Sequence, residues 1–88
     1  MKTRERTTLT IQKAARKARL EVTVVRHCIE VGVLKEELTQ ADLAELRRVR
    51  RLKSLGINLA GIEVILRMRR RIEALEADIA RLNRRLRQ

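Results

Sequence analysis

Apolar residues fall three and four apart along most of the chain, and that spacing predicts helices. Ile11, Ala14, Ala15 and Ala18 form one apolar stripe, and Thr10 stands where an N-cap would start the helix that carries it. Leu20 and Glu21 read as a short turn. Val22, Val25, Cys28 and Ile29 repeat the helical spacing and predict a second helix ended by Gly32, although its β-branched residues would also suit a strand. Residues 33–38 read as extended. "TQAD" then predicts a third helix over 39–55, with the Thr39 hydroxyl accepting from a first-turn amide and Asp42 at the positive helix end. Leu43, Leu46, Val49 and Leu52 face inward along it, Gly56 closes it, and Asn58 caps a fourth helix beginning at Leu59.

The fourth helix has no stop signal. Its apolar residues are Ile65, Met68, Ile72, Leu75, Ile79, Leu82 and Leu86, separated by alternating steps of 3 and 4. That is a heptad seam with Ile65, Ile72, Ile79 and Leu86 at a and Met68, Leu75 and Leu82 at d, narrow enough to predict pairing with a second helix in a homo-oligomer. Two antiparallel copies in a register that faces Ile72 with Leu75 of the other chain bring Arg71 near Asp78 and Arg69 near Glu76. A parallel pair offers Arg71 with Glu76 but faces Asp78 with Asn83. Exposed pairs contribute only ~0.2–1 kcal/mol each, so the preference for antiparallel is mild. The chain thus divides into a polar, disordered tail over 1–8, a helical domain over 9–64 and a coiled-coil helix over 65–88.

Composition narrows the class further. The chain has 88 residues, no aromatic residue, no proline and 3 glycines, so one small all-α domain with a core of Leu, Ile, Val and Ala is expected. The net charge is +11, which suits a polyanion or an acidic protein surface; arginine-rich faces that merely keep the chain in solution are the plainer alternative. Cys28 is alone, so no disulfide framework is expected. No apolar run is long enough to span a membrane and the start of the chain lacks a hydrophobic signal core, which points to the cytoplasm.

No enzyme site is expected, and no cofactor or metal. His27 and Cys28 are adjacent on a predicted helix and so point about 100° apart, which is wrong for a nucleophile and its base. The basic residues are the candidate chemistry. Lys13, Arg16, Lys17 and Arg19 line the first helix, Arg47, Arg48, Arg50, Arg51 and Lys53 the third, and Arg67, Arg69, Arg70 and Arg71 the start of the coiled coil. Contacts from such residues to phosphate give affinity without sequence information. For reading a base edge the second helix offers only Thr23 and Arg26, with Arg48 and Arg51 as phosphate contacts. For a protein partner, Arg16, Arg47, Arg48 and Arg51 are the candidate contacts.

The order of parts resembles the MerR superfamily. "LTIQKAARKARLEVTVVRHCIEVGVL" is similar to its opening helix-turn-helix, and "TQADLAELRRVRRLKSLGINLAGIEVIL" to its second helix pair. "LGINLAGI" looks most like the heat-shock repressor (HspR) and chaperone-modulator branches, the latter including CbpM and the DnaK–DnaJ assembly factor DafA. The resemblance implies a MerR-like helix-turn-helix, but with departures. DNA-reading members carry an Arg, two Tyr and a Glu on the second helix; here Arg26 is followed by His27, Cys28 and Ile29. Their wing, a hairpin, precedes the Asp-Leu helix; here Lys35, Glu36, Glu37 and Leu38 alone fill the gap before Thr39. What the resemblance implies is therefore one of two functions. One is a wingless adaptor that binds a J-domain co-chaperone, its Hsp70 partner (DnaK), or both. The other is a minimal dimeric regulator that binds double-stranded DNA.

Overall fold

The structure is a computed structural model that describes residues 8–88. Its elements, in order, are β1 (Thr8–Leu9), α1 (Ile11–Ala18), α2 (Val22–Glu30), β2 (Leu38–Thr39), α3 (Asp42–Ser54) and α4 (Leu59–Leu86). The fold is helical, as its periodicity predicts, and carries one small ribbon that the periodicity does not reveal. β1 and β2 are antiparallel, pairing Thr8 with Thr39 and Leu9 with Leu38. Most of the polar N-terminal stretch lies outside the described residues, but Thr8 belongs to the fold.

The ribbon changes the start of α3. Thr39 is held in β2, so the helix begins at Asp42, three residues later than the sequence suggests. The capping roles are also reversed. Asp42 accepts from the Thr39 backbone N–H at 2.8 Å, and the Thr39 hydroxyl donates to the same oxygen at 3.4 Å instead of accepting from the helix. The carboxylate still stands at the positive helix end, where it is stabilising. Of the stretch read as extended, residues 33, 34, 36 and 37 are bends and only Leu38 is strand, with Val33 and Leu34 buried.

Without aromatic residues the core is built by close approach of small faces. Ala14, Ala15 and Ala18 are buried on α1, which packs against both α2 and α3. Val24, Val25 and Cys28 come from α2, Leu43, Leu46 and Val49 from α3, and Ile62 and Leu66 from α4. Val24 is an addition to the expected set, while Val22 and Ile29 are half-buried beside it. Two caps follow the sequence: Thr10 accepts from Lys13 N–H at 3.0 Å, and Asn58 accepts from Gly61 N–H at 2.8 Å. Gly61 is needed there, because a Cβ would lie 2.9 Å from Cγ2 of Ile57.

α4 is one unbroken helix of 28 residues, about 42 Å long. Its first turns belong to the core, and Leu66 is as buried as any residue there, so the core reaches slightly past residue 64. From Arg71 onward every residue is exposed. The arm explains a radius of gyration of 15.8 Å, where a compact chain of this length would have about 12 Å.

α1, α2 and α3 end in the same way. In each, a residue just past the helix has positive φ (the C-cap itself after α1, the residue after the cap for α2 and α3), and the next N–H reaches back to a carbonyl one turn inside: Leu20 to Ala15, Val33 to Cys28, Ile57 to Leu52. This is the Schellman turn, which favours glycine. Gly32 and Gly56 occupy it after α2 and α3, at φ 83° and 87°, but after α1 the position is Arg19, at φ 60°. A side chain in that region costs about 1 kcal/mol. Replacing Arg19 by Gly should therefore raise the unfolding free energy by about 0.5–1 kcal/mol, while Gly56→Ala should lower it by about 1 kcal/mol. Urea unfolding followed by helical circular dichroism checks both; a destabilised Arg19→Gly protein would contradict the assignment.

Candidate functional site

The helix-turn-helix is formed by α1 and α2, and the exposed side of α2 carries Thr23 and Arg26. Of the β-branched residues in α2, Val24 and Val25 sit in the core with Cys28, while Val22 and Ile29 are half-buried. Between α2 and α3 there is no hairpin among the described residues, only the bends and the single strand β2. Lys35, Glu36 and Glu37 are exposed on that segment. Together with Gly32, Thr39, Asp42 and Arg70, Lys35 and Glu37 line a mixed-charge hollow of about 470 Å3.

The basic residues divide into two groups. The first is engaged within the chain. Arg48 donates to Oε1 of Glu45 at 2.7 Å and its side chain is only 27 % exposed, so it is not the open contact that the sequence suggests. Arg70 approaches the other carboxylate oxygen of Glu45 at 3.8 Å and donates to the Val33 carbonyl. Arg67 donates to the Val31 carbonyl at 2.6 Å and pairs with Glu63 at 2.8 Å. These two α4 guanidinium groups meet carbonyls at the cap of α2 and just beyond it, near the helix C-terminus, where a cation is favoured by the helix dipole. Arg69 pairs with Glu73 at 3.0 Å, and Arg81 pairs with Asp78.

The second group is open. Arg16 on α1 and Arg47 and Arg51 on α3 are exposed. The structure brings Arg47 together with Lys17, Arg19 and Arg50 around a recess of about 300 Å3 whose floor is Ala18. Thr23, Arg26, Arg16 and Arg51 do not line it. Lys17, Arg19 and Arg50 are visible in the sequence as basic positions, but their convergence depends on how α1 packs on α3. No periodicity within either helix could show it.

The α4 seam is uncovered in the single chain. Met68, Ile72, Leu75, Ile79, Leu82 and Leu86 are 48–82 % exposed, while Ile65 at the base of the arm is half-buried. An apolar row this long on one helix face is a docking feature rather than scattered surface residues.

Among the described residues no group of three or more His, Cys, Asp or Glu is placed to hold a metal ion, and no buried side-chain nitrogen or oxygen lacks a partner. Cys28 is buried in the core, and burial, with the Glu45 carboxylate adding to it, raises the thiol above its ordinary value of 9.0. A thiol so held is a packing group and a poor nucleophile.

A family pattern described as MerR HTH family regulatory protein matches residues 9–84. No curated protein and no solved structure matches the chain.

The thiol sets an expected pH dependence. A group whose folded pKa lies above its unfolded value contributes stability that is fully present below the unfolded value and lost as pH rises through the folded one. Unfolding free energy should therefore fall more steeply above pH 9 in the natural chain than in Cys28→Ala. Urea titrations at pH 8 and in the alkaline range measure the difference; parallel curves for the two proteins would contradict the burial of the thiol.

Proposed function

The chain belongs to the MerR helix-turn-helix regulatory family, whose pattern spans residues 9–84, and from that premise we propose that it is a dimeric adaptor acting on a chaperone system. In this reading it binds a J-domain co-chaperone, its Hsp70 partner (DnaK), or both, in the cytoplasm and without any catalytic step. The observation that carries the reading is the segment between α2 and α3. A DNA-reading member places its wing there, whereas this chain has no hairpin and exposes Glu36 and Glu37, which a phosphate strand would repel. Arg16, Arg47 and Arg51 are the open partner contacts. Arg48 acts beside them only after exchanging Glu45 for the partner's acid.

Two copies associate through Ile65, Met68, Ile72, Leu75, Ile79, Leu82 and Leu86. The seam sets the pairing more than the flanking charges do. Arg69 and Asp78 already have partners on their own helix, so an antiparallel dimer exchanges these pairs rather than adding them all.

A second reading is supported by one observation. Thr23 and Arg26 are both exposed on α2, the face with which helix-turn-helix regulators meet the major groove. With the net charge of +11, this favours double-stranded DNA.

Two experiments test these readings. Changing Ile72 and Leu75 together to Asp places charge in the seam and should leave a monomer by light scattering at high micromolar concentration, where the natural chain is a dimer; a monomeric natural chain ends the proposal. Mixing the protein with a purified J-domain protein and its Hsp70 on a sizing column should give co-elution, weakened by Arg47→Glu with Arg51→Glu and more so as salt rises. If all three proteins elute separately in every nucleotide state while Arg26→Ala selectively weakens a preferred duplex, the DNA reading replaces the adaptor.

A further inference from the structure

The apolar seam of α4 changes character at its base. One heptad step before Ile65 the next d position is Gly61, which brings no side chain to the row. Ile57, from the turn before α4, takes its place. Its Cγ2 lies 2.9 Å from where a Gly61 Cβ would stand, and its side chain is half-buried against the core. The row therefore runs off the arm onto the helical domain and ends at the α3–α4 corner, on Ile57. At the opposite end of the row stands Leu86, 82 % exposed.

The row is complementary to itself when a second copy runs the opposite way. Between Met68 and Ile72 lies an apolar hollow of about 300 Å3, flanked by Arg67 and Arg71. With Ile72 of one copy facing Leu75 of the other, Ile79 of the second copy faces Met68 beside that hollow. The residue before it, Asp78, then comes to Arg71, which has no ion-pair partner of its own among the described residues. Eleven residues outward from the Ile72–Leu75 pair, the same register sets Leu86 of the second copy opposite Gly61, a long side chain against the one position of the row that lacks any. A parallel pair also gives Arg71 a carboxylate, but it faces Asp78 with Asn83 and matches Leu86 with Leu86, far from either domain. Only the antiparallel arrangement covers the exposed Leu86 and the half-buried Ile57 with each other.

We propose that the α3–α4 corner, where Ile57 lies over Gly61, is the docking site for Leu86 of a second copy in an antiparallel dimer, so that each arm tip packs against the other copy's helical domain. The contact occurs twice, because the same patch serves both copies. This rests on the reading that two copies pair along α4, and it adds the direction in which they run and a part for the domain in the interface.

The test uses the full chain, mild oxidation and electrophoresis without reductant, with the natural chain beside it as the control for buried Cys28. Leu86→Cys mixed with Ile57→Cys should give a disulfide-linked dimer that neither variant gives alone, since the two Leu86 positions of an antiparallel pair are about 37 Å apart along the arms. Self-linking of Leu86→Cys overturns the proposal in favour of a parallel pair, while pairing itself stands. Sedimentation equilibrium gives a second readout that does not need disulfide geometry. Leu86→Ala should weaken the dimer about tenfold, as two partly buried leucines are lost per dimer. In an Ile57→Ala chain, whose fold is checked by circular dichroism, the same change should weaken it less than about threefold, because the contact is already gone. Equal loss in both backgrounds overturns the corner as the docking site. A natural chain that is monomeric at high micromolar concentration removes the pairing and this proposal together, whereas a dimer that fails both tests removes this proposal alone.

Discussion

The attachment of α4 to the end of α2 governs the rest of the structure. Arg67 and Arg70 reach across to the carbonyls of Val31, the cap of α2, and Val33, just past the Gly32 turn. On its other side Arg70 meets Glu45 of α3, and Glu45 also holds Arg48. A single α4 turn thereby joins three other parts of the chain: the end of α2, the bends that follow it and α3. With those carbonyls answered, the chain can turn at Gly32, bury Val33 and Leu34 and enter β2 within a few residues. The direction in which the arm leaves the core is set at the same place.

This attachment also decides what the charge is available for. A net charge of +11 suggests a continuous cationic coat, but the structure divides it. Arg67, Arg69 and Arg70 near the base of the arm are bound to carbonyls and carboxylates of their own chain. Those of α1 and the outer face of α3 are left to solvent. Half-buried Arg48 belongs to the structural group, since breaking its contact would leave the Glu45 carboxylate, 19 % exposed, with only the longer Arg70 contact. The open basic surface is accordingly smaller than the basic composition implies, and four of its residues converge where α1 packs on α3.

Much of the fold is legible in the sequence because helices advertise themselves locally. Ala14, Ala15 and Ala18 define one stripe, Leu43, Leu46 and Val49 another, and Gly32, Gly56, Thr10 and Asn58 mark ends through their own backbone or side-chain chemistry. The ribbon is not legible, since a strand of two residues has no period to read, and its pairing joins Thr8 to Thr39 across the whole helix-turn-helix. Thr39 looks like a helix cap for that reason: a cap signal is local and the strand that overrides it is not. Arg19 is hidden differently, because a Schellman turn without glycine carries no mark in the sequence. Of the candidate site, the exposure of Arg16, Arg47 and Arg51 follows from helical phase. The roles of Arg67 and Arg70 depend on contacts more than thirty residues away, beyond the reach of any window.

The continuity of α4 has a thermodynamic consequence. Ile62 and Leu66 lie in the core, and the exposed row from Ile72 to Leu86 continues the same rod without a hinge, glycine or proline to uncouple it. The outer turns have no packing of their own, and an unsupported helix of that length is marginal in water. Any second helix laid on the row therefore orders the arm and, through the shared backbone, tightens the core beneath it. The heat resistance of the domain becomes a mass-action quantity, rising with the concentration of whatever covers the arm. Where the arm is covered by a second copy, a melting temperature has meaning only alongside the concentration at which it was measured.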